Sequence, residues 1–157
     1  MGFVLYFCSL QQTIIMSTTN HISTKWVGNM TFESTNPSGH SLTIDIAKED
    51  GGDGNGYRPK ALMLSSLAGC SGLDVAALIK KMKLEVDTFH IETIANLTDA
   101  HPKFYDKVSV EYHFHGSNLK EEKLQRAVDL SVEKYCGVME MFRQFAEIDI
   151  KTFFHYK

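Results

Sequence analysis

The segment between Lys60 and Lys80 most constrains the fold, because Asp74 is its only charged residue. About 19 largely apolar residues approach the length that spans a bilayer. In a membrane, the serines and glycines of this segment and Asp74 would lie in hydrocarbon, so we favour a helix covered by protein on nearly every side. The sequence therefore predicts a central core helix and no membrane span.

Alternating apolar and polar residues flank this helix on both sides. They predict three short strands before it and, after it, an antiparallel strand pair, two helices and a closing strand. The expected bounds are 26–27, 30–33 and 41–46 for the first strands, 59–83 for the central helix, 84–97 and 108–115 for the pair, 119–135 and 138–145 for the later helices, and 148–156 for the last strand. This order predicts an α+β domain. The strands of one chain can cover about one side of the central helix, so we expect a homodimer.

Composition narrows the class of protein. The net charge is −3 and the lysines are scattered, which argues against nucleic acid as a partner. The apolar run in residues 1–15 follows no lysine or arginine and meets no cleavage site, unlike a secretory signal. We therefore expect residues 1–15, with Cys8, to be an unstructured extension or a mis-assigned start, and residues 16–157 to be one domain. Three cysteines make no disulfide framework, as expected of a cytoplasmic protein.

Two common ligand sites are weighed and set aside. The glycine-rich loop from Glu49 to Tyr57 lacks the Lys-Ser/Thr pair of a phosphate loop and carries three acidic residues, so it is interpreted as a connector. His113 and His115 lie on one face of a predicted strand, and two cysteines would complete a zinc set. Nothing in the sequence places these four residues together. We therefore expect no metal and no other cofactor.

Cys70 and Cys136 are the candidate chemical groups. Cys70 lies within the central helix between Gly69 and Gly72, and each glycine weakens a helix by about 1 kcal/mol, which predicts the close approach of a second helix or of a substrate at the sulfur. Cys136 precedes a helix start, where backbone amides favour a thiolate. Inert packing and redox-active thiols are equally compatible with these residues.

Two runs that contain these cysteines carry a family resemblance. The run from Tyr57 to Val75 includes Ala-Gly-Cys-Ser-Gly at Cys70, and the run from Arg126 to Val138 includes Ser-Val-Glu-Lys-Tyr-Cys at Cys136. In both, the chain resembles the OsmC/Ohr family, most closely the OsmC-like branch, over about residues 25–156. The resemblance implies an OsmC-like α+β fold: an intertwined homodimer with two antiparallel β-sheets wrapped around two central helices.

The resemblance also implies an activity. Family members are antioxidant, stress-response enzymes that reduce organic hydroperoxides with two cysteines, like a peroxiredoxin. By analogy, Cys70 is the peroxidatic cysteine and Cys136 the resolving cysteine. The resulting disulfide is reduced by a dithiol such as a lipoyl carrier protein. An apolar substrate pocket is expected from four residues: Met63, Leu67, Met139 and Phe142. The alternative is a non-catalytic member that binds a small hydrophobic ligand at the dimer interface.

The chain departs from the family in its charged residues. Characterised members hold the thiolate with an arginine from the N-terminal hairpin, and that arginine with a glutamate on the central helix. Here no arginine precedes Arg58, and Lys60 stands at the position of the glutamate. Arg58, Lys60 and Lys25 are therefore the candidate thiolate-stabilising cations, and Glu133 is a candidate charged partner near Cys136.

Overall fold

The computed structural model describes residues 18–157, so the expectations for residues 1–15 and Cys8 lie outside it. Its elements are β1 (Ser23–Gly28), β2 (Thr31–Thr35), β3 (Ser41–Ile44), a 3₁₀ turn (Lys48–Asp50), α1 (Pro59–Met82), β4 (Thr88–Leu97), β5 (Tyr105–His115), α2 (Glu121–Leu130), a π-helical turn (Ser131–Tyr135), α3 (Gly137–Arg143) and β6 (Glu147–His155). The predicted α+β class and the order of the elements are confirmed.

The central helix begins and ends where local chemistry predicts. Pro59 is the first helical residue, where its missing N–H costs nothing. Lys83 adopts a left-handed conformation (φ 54°) and its N–H caps the carbonyls of Ile79 and Lys80. The helix therefore starts at the predicted residue and ends one residue earlier than predicted.

The strands form two three-stranded sheets, with the orders β1-β2-β3 and β4-β5-β6. β4 pairs antiparallel with β5, as predicted, but β6 pairs parallel with β5 from Lys107–Glu147 to His115–His155. The expectation of purely antiparallel sheets is therefore wrong. α2, the π-helical turn and α3 connect the end of β5 to the start of β6. This helical crossover carries the chain back to the end of the sheet where β5 begins, so β6 runs parallel to β5.

The core lies between the second sheet and the helices. Every second residue of β5 points toward the helices. Four of these residues are at most 2% exposed: Val108, Val110, Tyr112 and Phe114. Leu67, Ser71 and Val75 form the buried stripe of α1, at the i, i+4 and i+8 spacing of one helix face. The stripe fixes which face of α1 meets the sheet.

The rest of α1 is uncovered in the single chain. Among the described residues it is the one helix long and apolar enough to cross a membrane by length and composition, and only 17% of its most apolar window is buried. Leu73 is 75% exposed, and a Cβ on Gly69 would meet nothing within 4 Å. The β1–β2 hairpin likewise exposes Trp26 and Val27. One chain therefore leaves two apolar surfaces without cover.

Asp45 organises the glycine-rich connector between β3 and α1. This carboxylate is 1% exposed and accepts the backbone N–H groups of Ile46, Asp53 and Asn55 at 2.8, 3.1 and 3.0 Å. These bonds, that from Asn55 above all, hold the pKa of Asp45 below its usual value of 3.8 even though burial acts to raise it. The loop is thus a structural connector held by a buried anion.

We expect Asp45→Asn to lower the free energy of unfolding at neutral pH, because an amide cannot accept all three N–H groups without presenting its own donors. A lowered folded-state pKa contributes stability that is fully present above the unfolded pKa and is lost as the pH falls through the folded pKa. Urea unfolding between pH 7 and pH 2 should show a smaller loss in Asp45→Asn than in the native protein; the remaining loss comes from groups such as Glu111, whose pKa is lowered mainly by Lys151. Asp50→Asn, at an exposed site in the same loop, is the control; the same acid loss in Asp45→Asn would contradict the assignment.

Candidate functional site

α1 and the turn before α3 bring Cys70 and Cys136 into one apolar cluster. Both are free thiols. Cys70 is half-buried, one residue before the buried stripe residue Ser71, whereas Cys136 is 4% exposed. A molecule that approaches from solvent therefore meets Cys70 first. A Cβ on Gly72 would lie 3.2 Å from the Ile91 side chain of β4, so within the described residues the close neighbour is a strand and not the expected second helix or substrate.

Cys136 is the N-cap residue of α3, directly after the π-helical turn. Its N–H donates to the Ser131 carbonyl at 2.8 Å, and its sulfur accepts the Met139 N–H at 3.3 Å. A π-helical turn has one more residue between hydrogen-bonded groups than an α-helical turn, and such turns often occur at functional sites. The turn ends the α2 segment and sets the sulfur at the start of α3.

The helix start does not make Cys136 a thiolate. Burial above all, with smaller contributions from the Cys70 side chain and the Asp74 carboxylate, raises the pKa of the Cys136 thiol to about 11, although the Met139 N–H acts to lower it. The Met139 N–H favours the thiolate, as expected of a helix start, but the loss of hydration outweighs this single donor. Cys136 is a protonated thiol at neutral pH.

A chain of buried hydroxyl groups lies next to the two thiols. Ser71 Oγ contacts the Tyr112 hydroxyl and lies 2.9 Å from Ser131 Oγ, and Ser131 Oγ is 3.3 Å from an Asp74 carboxylate oxygen. A carboxylate only accepts, so Ser131 donates to Asp74. In turn, Ser71 donates to Ser131, and Tyr112 donates to Ser71. Ser131 also lies within 3.2 Å of the Ser71 carbonyl. The chain joins β5, α1 and the π-helical turn.

The tyrosine at the head of this chain stays protonated. Burial above all, together with the charges of Cys136 and Asp74, raises the pKa of Tyr112 to about 12, although the Ser71 hydrogen bond acts to lower it. Tyr112 is therefore a hydrogen-bond donor throughout the neutral range. Asp74, one helical turn beyond Cys70 on the same face of α1, is the anionic end.

The residues expected to line the substrate pocket divide into two groups. Leu67, Met139 and Phe142 are core residues, at most 2% exposed, whereas Met63 is 44% exposed. A cavity of about 270 Å³ reaches Cys136 and is lined by other residues: Val132, Glu133, Lys134, Tyr135, Cys136, Gly137, Glu140 and Arg143. Of the expected site residues, Glu133 and Cys136 therefore share a cavity, with Glu133 on the exposed side.

The candidate cations lie elsewhere in the chain. Arg58 is the N-cap of α1 and lines, with Lys60, a cavity of about 450 Å³ at that end of the helix. At a rise of about 1.5 Å per residue, Lys60 is roughly 15 Å along the axis from Cys70 and Arg58 farther still, beyond the reach of either side chain. Lys25 lies on β1 opposite Glu33, in the other sheet. Within one described chain, none of the three is placed to contact Cys70.

Sequence reasoning did not identify Ser71, Tyr112 or Ser131 as part of the site. Ser71 follows Cys70 directly, and Ser131 precedes Cys136 by one π-helical turn, so both lie inside the cysteine motifs. The sequence signal that could have identified Ser71 and Ser131 is a polar residue at a position where the helical spacing of the apolar residues predicts burial. Tyr112 gave no local signal, because its partner lies on a distant segment.

The comparisons with known proteins identify the family of the chain. The family model described as "OsmC-like protein" matches residues 52–151. Protein YhfA of Escherichia coli K12 is 30% identical over 124 residues, which are 79% of this chain and 90% of YhfA.

Solved structures show the same fold. A hypothetical protein from Aquifex aeolicus VF5 matches with a TM-score of 0.78 and 28% identity over 90% of this chain and 99% of that chain. An organic hydroperoxide resistance protein OsmC from Legionella pneumophila matches with a TM-score of 0.62 and 17% identity over 86% of this chain and 96% of its own. The second match shows the fold alone.

We expect Ser71→Ala to lower the free energy of unfolding by about 1–3 kcal/mol, the cost of leaving buried hydrogen-bonding groups without a partner. Ser66→Ala is the matched control, because Ser66 is exposed on the same helix and its hydroxyl donates only to the Leu62 carbonyl. Urea unfolding of both variants measures the difference. Equal stability of the two would show that the buried hydroxyl chain contributes nothing.

Proposed function

The chain belongs to the OsmC-like protein family, and from this we propose that it is a thiol-dependent peroxidase that reduces organic hydroperoxides through Cys70 and Cys136. The observation that carries the proposal is the pairing of a half-buried cysteine with a buried, protonated one in the same cluster. A peroxidatic cysteine has to be reached by substrate, and a resolving cysteine has only to be reached by its partner. Cys70 and Cys136 differ in this way.

The proposed reaction has three steps. The Cys70 thiolate attacks the terminal peroxide oxygen, the O–O bond breaks, and the alkoxide leaves and is protonated to an alcohol. Cys70 is then a sulfenic acid. The Cys136 thiol attacks the Cys70 sulfur, a disulfide forms, and the hydroxyl group leaves with the Cys136 proton as water. A dithiol reductant, for example a lipoyl group on a carrier protein, returns both cysteines to thiols and is itself oxidised to a disulfide.

The hydroxyl chain supports the second step of this reaction. Ser131 accepts the Cys136 N–H through its carbonyl and binds Ser71, the neighbour of Cys70, through its hydroxyl. The turn that carries the resolving thiol is thereby tied to the helix that carries the peroxidatic one. Positioning of this kind favours disulfide formation over further oxidation of Cys70.

A second function is favoured by the charges around the site. Asp74 lies one turn from Cys70, while Arg58, Lys60 and Lys25 lie away from it in the single chain. A thiolate needs a cation or helix amides nearby. If no cation reaches Cys70 in the assembled protein, a non-catalytic protein that binds a small hydrophobic ligand at a dimer interface fits better.

We also propose that the protein is a homodimer, and that it works in the cytoplasm, where free thiols persist. The uncovered face of α1 and the apolar hairpin of β1 and β2 are the surfaces that a second copy would bury. Exposed apolar surfaces of this kind mark interaction sites. A second copy would also bring its own Lys25, Arg58 and Lys60 to these surfaces.

Intact mass after a small excess of cumene hydroperoxide tests the peroxidase. We expect a loss of about two hydrogens per chain, as two thiols become a disulfide. Cys70→Ser should reduce peroxide consumption to the uncatalysed background. Cys136→Ser should form a sulfenic acid that dimedone traps, without the two-hydrogen loss.

Cys8→Ser is the matched control for these cysteine variants and should behave like the unmodified protein. Full turnover in Cys70→Ser would contradict the assignment. An unchanged mass in the unmodified protein would favour the ligand-binding alternative.

For the dimer, we expect Leu73→Asp to yield a monomer in size-exclusion chromatography with light scattering, because a carboxylate would be buried against the partner helix. Ile94→Asp is the control: Ile94 is also exposed, at 53%, but lies on the outer face of β4. The control should remain at twice the chain mass. Monomeric behaviour of the unmodified protein, or a dimer in Leu73→Asp, would contradict the proposed interface.

A further inference from the structure

A second cluster of polar side chains lies on the outer face of the β4-β5-β6 sheet, away from the cysteines. Period-two alternation and the strand register place its members side by side, with His90 opposite His113, Glu92 opposite Glu111, and His115 opposite His155. The rings of His90, His113 and His155 are stacked. From the sequence, the cysteines were the only partners considered for His113 and His115, but the cysteines lie among the core residues instead.

His113 is the central residue of this cluster. Its Nδ1 lies 3.0 Å from Nε2 of His155. Its Nε2 is inaccessible to solvent and has no hydrogen-bond partner within residues 18–157; a Glu111 carboxylate oxygen lies 3.9 Å away. Buried polar atoms are nearly always paired, so a nitrogen in this position calls for a partner.

Two carboxylates converge on the same point. One oxygen each of Glu92 and Glu111 and one ring nitrogen of His113 all lie within 4.8 Å of one another. Lys151 donates to Glu111 Oε1 at 3.0 Å, so it neutralises that side of the carboxylate, while Oε2 faces His113. Two carboxylates and a nitrogen lone pair repel one another unless a cation lies between them.

The neighbouring histidine favours a metal ion as this cation. When Nδ1 of His113 donates its proton to a hydrogen bond with His155, Nε2 of His113 carries the lone pair that a metal ion needs. A hydrogen bond from the other ring nitrogen of a metal-binding histidine also fixes the orientation of its ring. Ligands of one zinc ion, at about 2.0–2.2 Å from it, lie roughly 3.5 Å apart, so the three groups need to close by about 1 Å. Glu111 and His113 already lie 3.9 Å apart and their side chains are each 15% exposed, so the exposed Glu92 side chain makes most of this movement by rotation.

We propose that Glu92, Glu111 and His113 bind a divalent transition-metal ion such as Zn²⁺, with His155 orienting the His113 ring. One imidazole and two carboxylates are ligands that Zn²⁺, Co²⁺ and related ions accept, and the outer face of the sheet leaves further positions for water. The site is independent of the proposed peroxidase activity.

Cobalt(II) titration of the full chain tests the proposal. Thiolate ligands give cobalt an intense near-ultraviolet charge-transfer band, whereas imidazole and carboxylate ligands give only weak visible bands. We expect one equivalent to bind without the thiolate band, and Zn²⁺ to displace it. Glu92→Gln, which keeps the shape of an exposed side chain, and His113→Ala should each weaken binding at least tenfold.

His21→Ala is the control, because His21 is exposed and lies outside the cluster; it should bind cobalt as the unmodified protein does. Three outcomes would overturn the proposal: no binding at millimolar cobalt, binding that Glu92→Gln and His113→Ala leave unchanged, or binding with the thiolate band. The last would assign the metal to Cys70 and Cys136. Circular dichroism of His113→Ala checks its fold, and Glu92→Gln decides the outcome if that variant unfolds.

Discussion

The buried hydrogen-bond chain from Tyr112 through Ser71 and Ser131 to Asp74 is the contact on which the arrangement of the site depends. Apolar packing alone allows α1 to slide or rotate on the sheet by small amounts, because dispersion and burial have little directional preference. Hydrogen bonds between buried hydroxyl groups have narrow geometry, and leaving one unmade is costly. The chain therefore fixes the register of α1 against β5 and against the turn before Cys136.

The same contacts make the two thiols unequal. Cys136 is buried next to the turn that carries Ser131, where burial and the Asp74 charge both favour its protonated form. Cys70 lies at the edge of the cluster and keeps contact with solvent. An ordered pair, in which one sulfur reacts first and the other follows, needs such a difference in access. The fold provides it by placing Cys136 in the core and Cys70 at its margin.

Features set by neighbouring residues could be predicted from the sequence, and features set by distant ones could not. Pro59 marks the start of α1 because its effect on the backbone is local. The alternation from Val108 to His115 identifies β5 because the polarity of each side chain indicates whether it faces the core or the solvent. The parallel pairing of β6 depends on the path of the crossover, and the pKa of Cys136 depends on which side chains surround it. The outer histidine cluster required the register of three strands, although each His-x-Glu or His-x-His pair was visible alone.

The uncovered surfaces and the charges of the site lead to one requirement. Asp74, one helical turn from Cys70, is an acidic residue and offers the peroxidatic sulfur no positive charge. The candidate cations of the same chain lie at the far end of α1 or on the first sheet, and that sheet exposes its apolar hairpin. A second copy that covers the hairpin and α1 would bring such a cation toward Cys70. Dimerisation would then complete the chemistry as well as bury apolar surface, so a monomer of this chain is expected to be inactive even with both cysteines reduced.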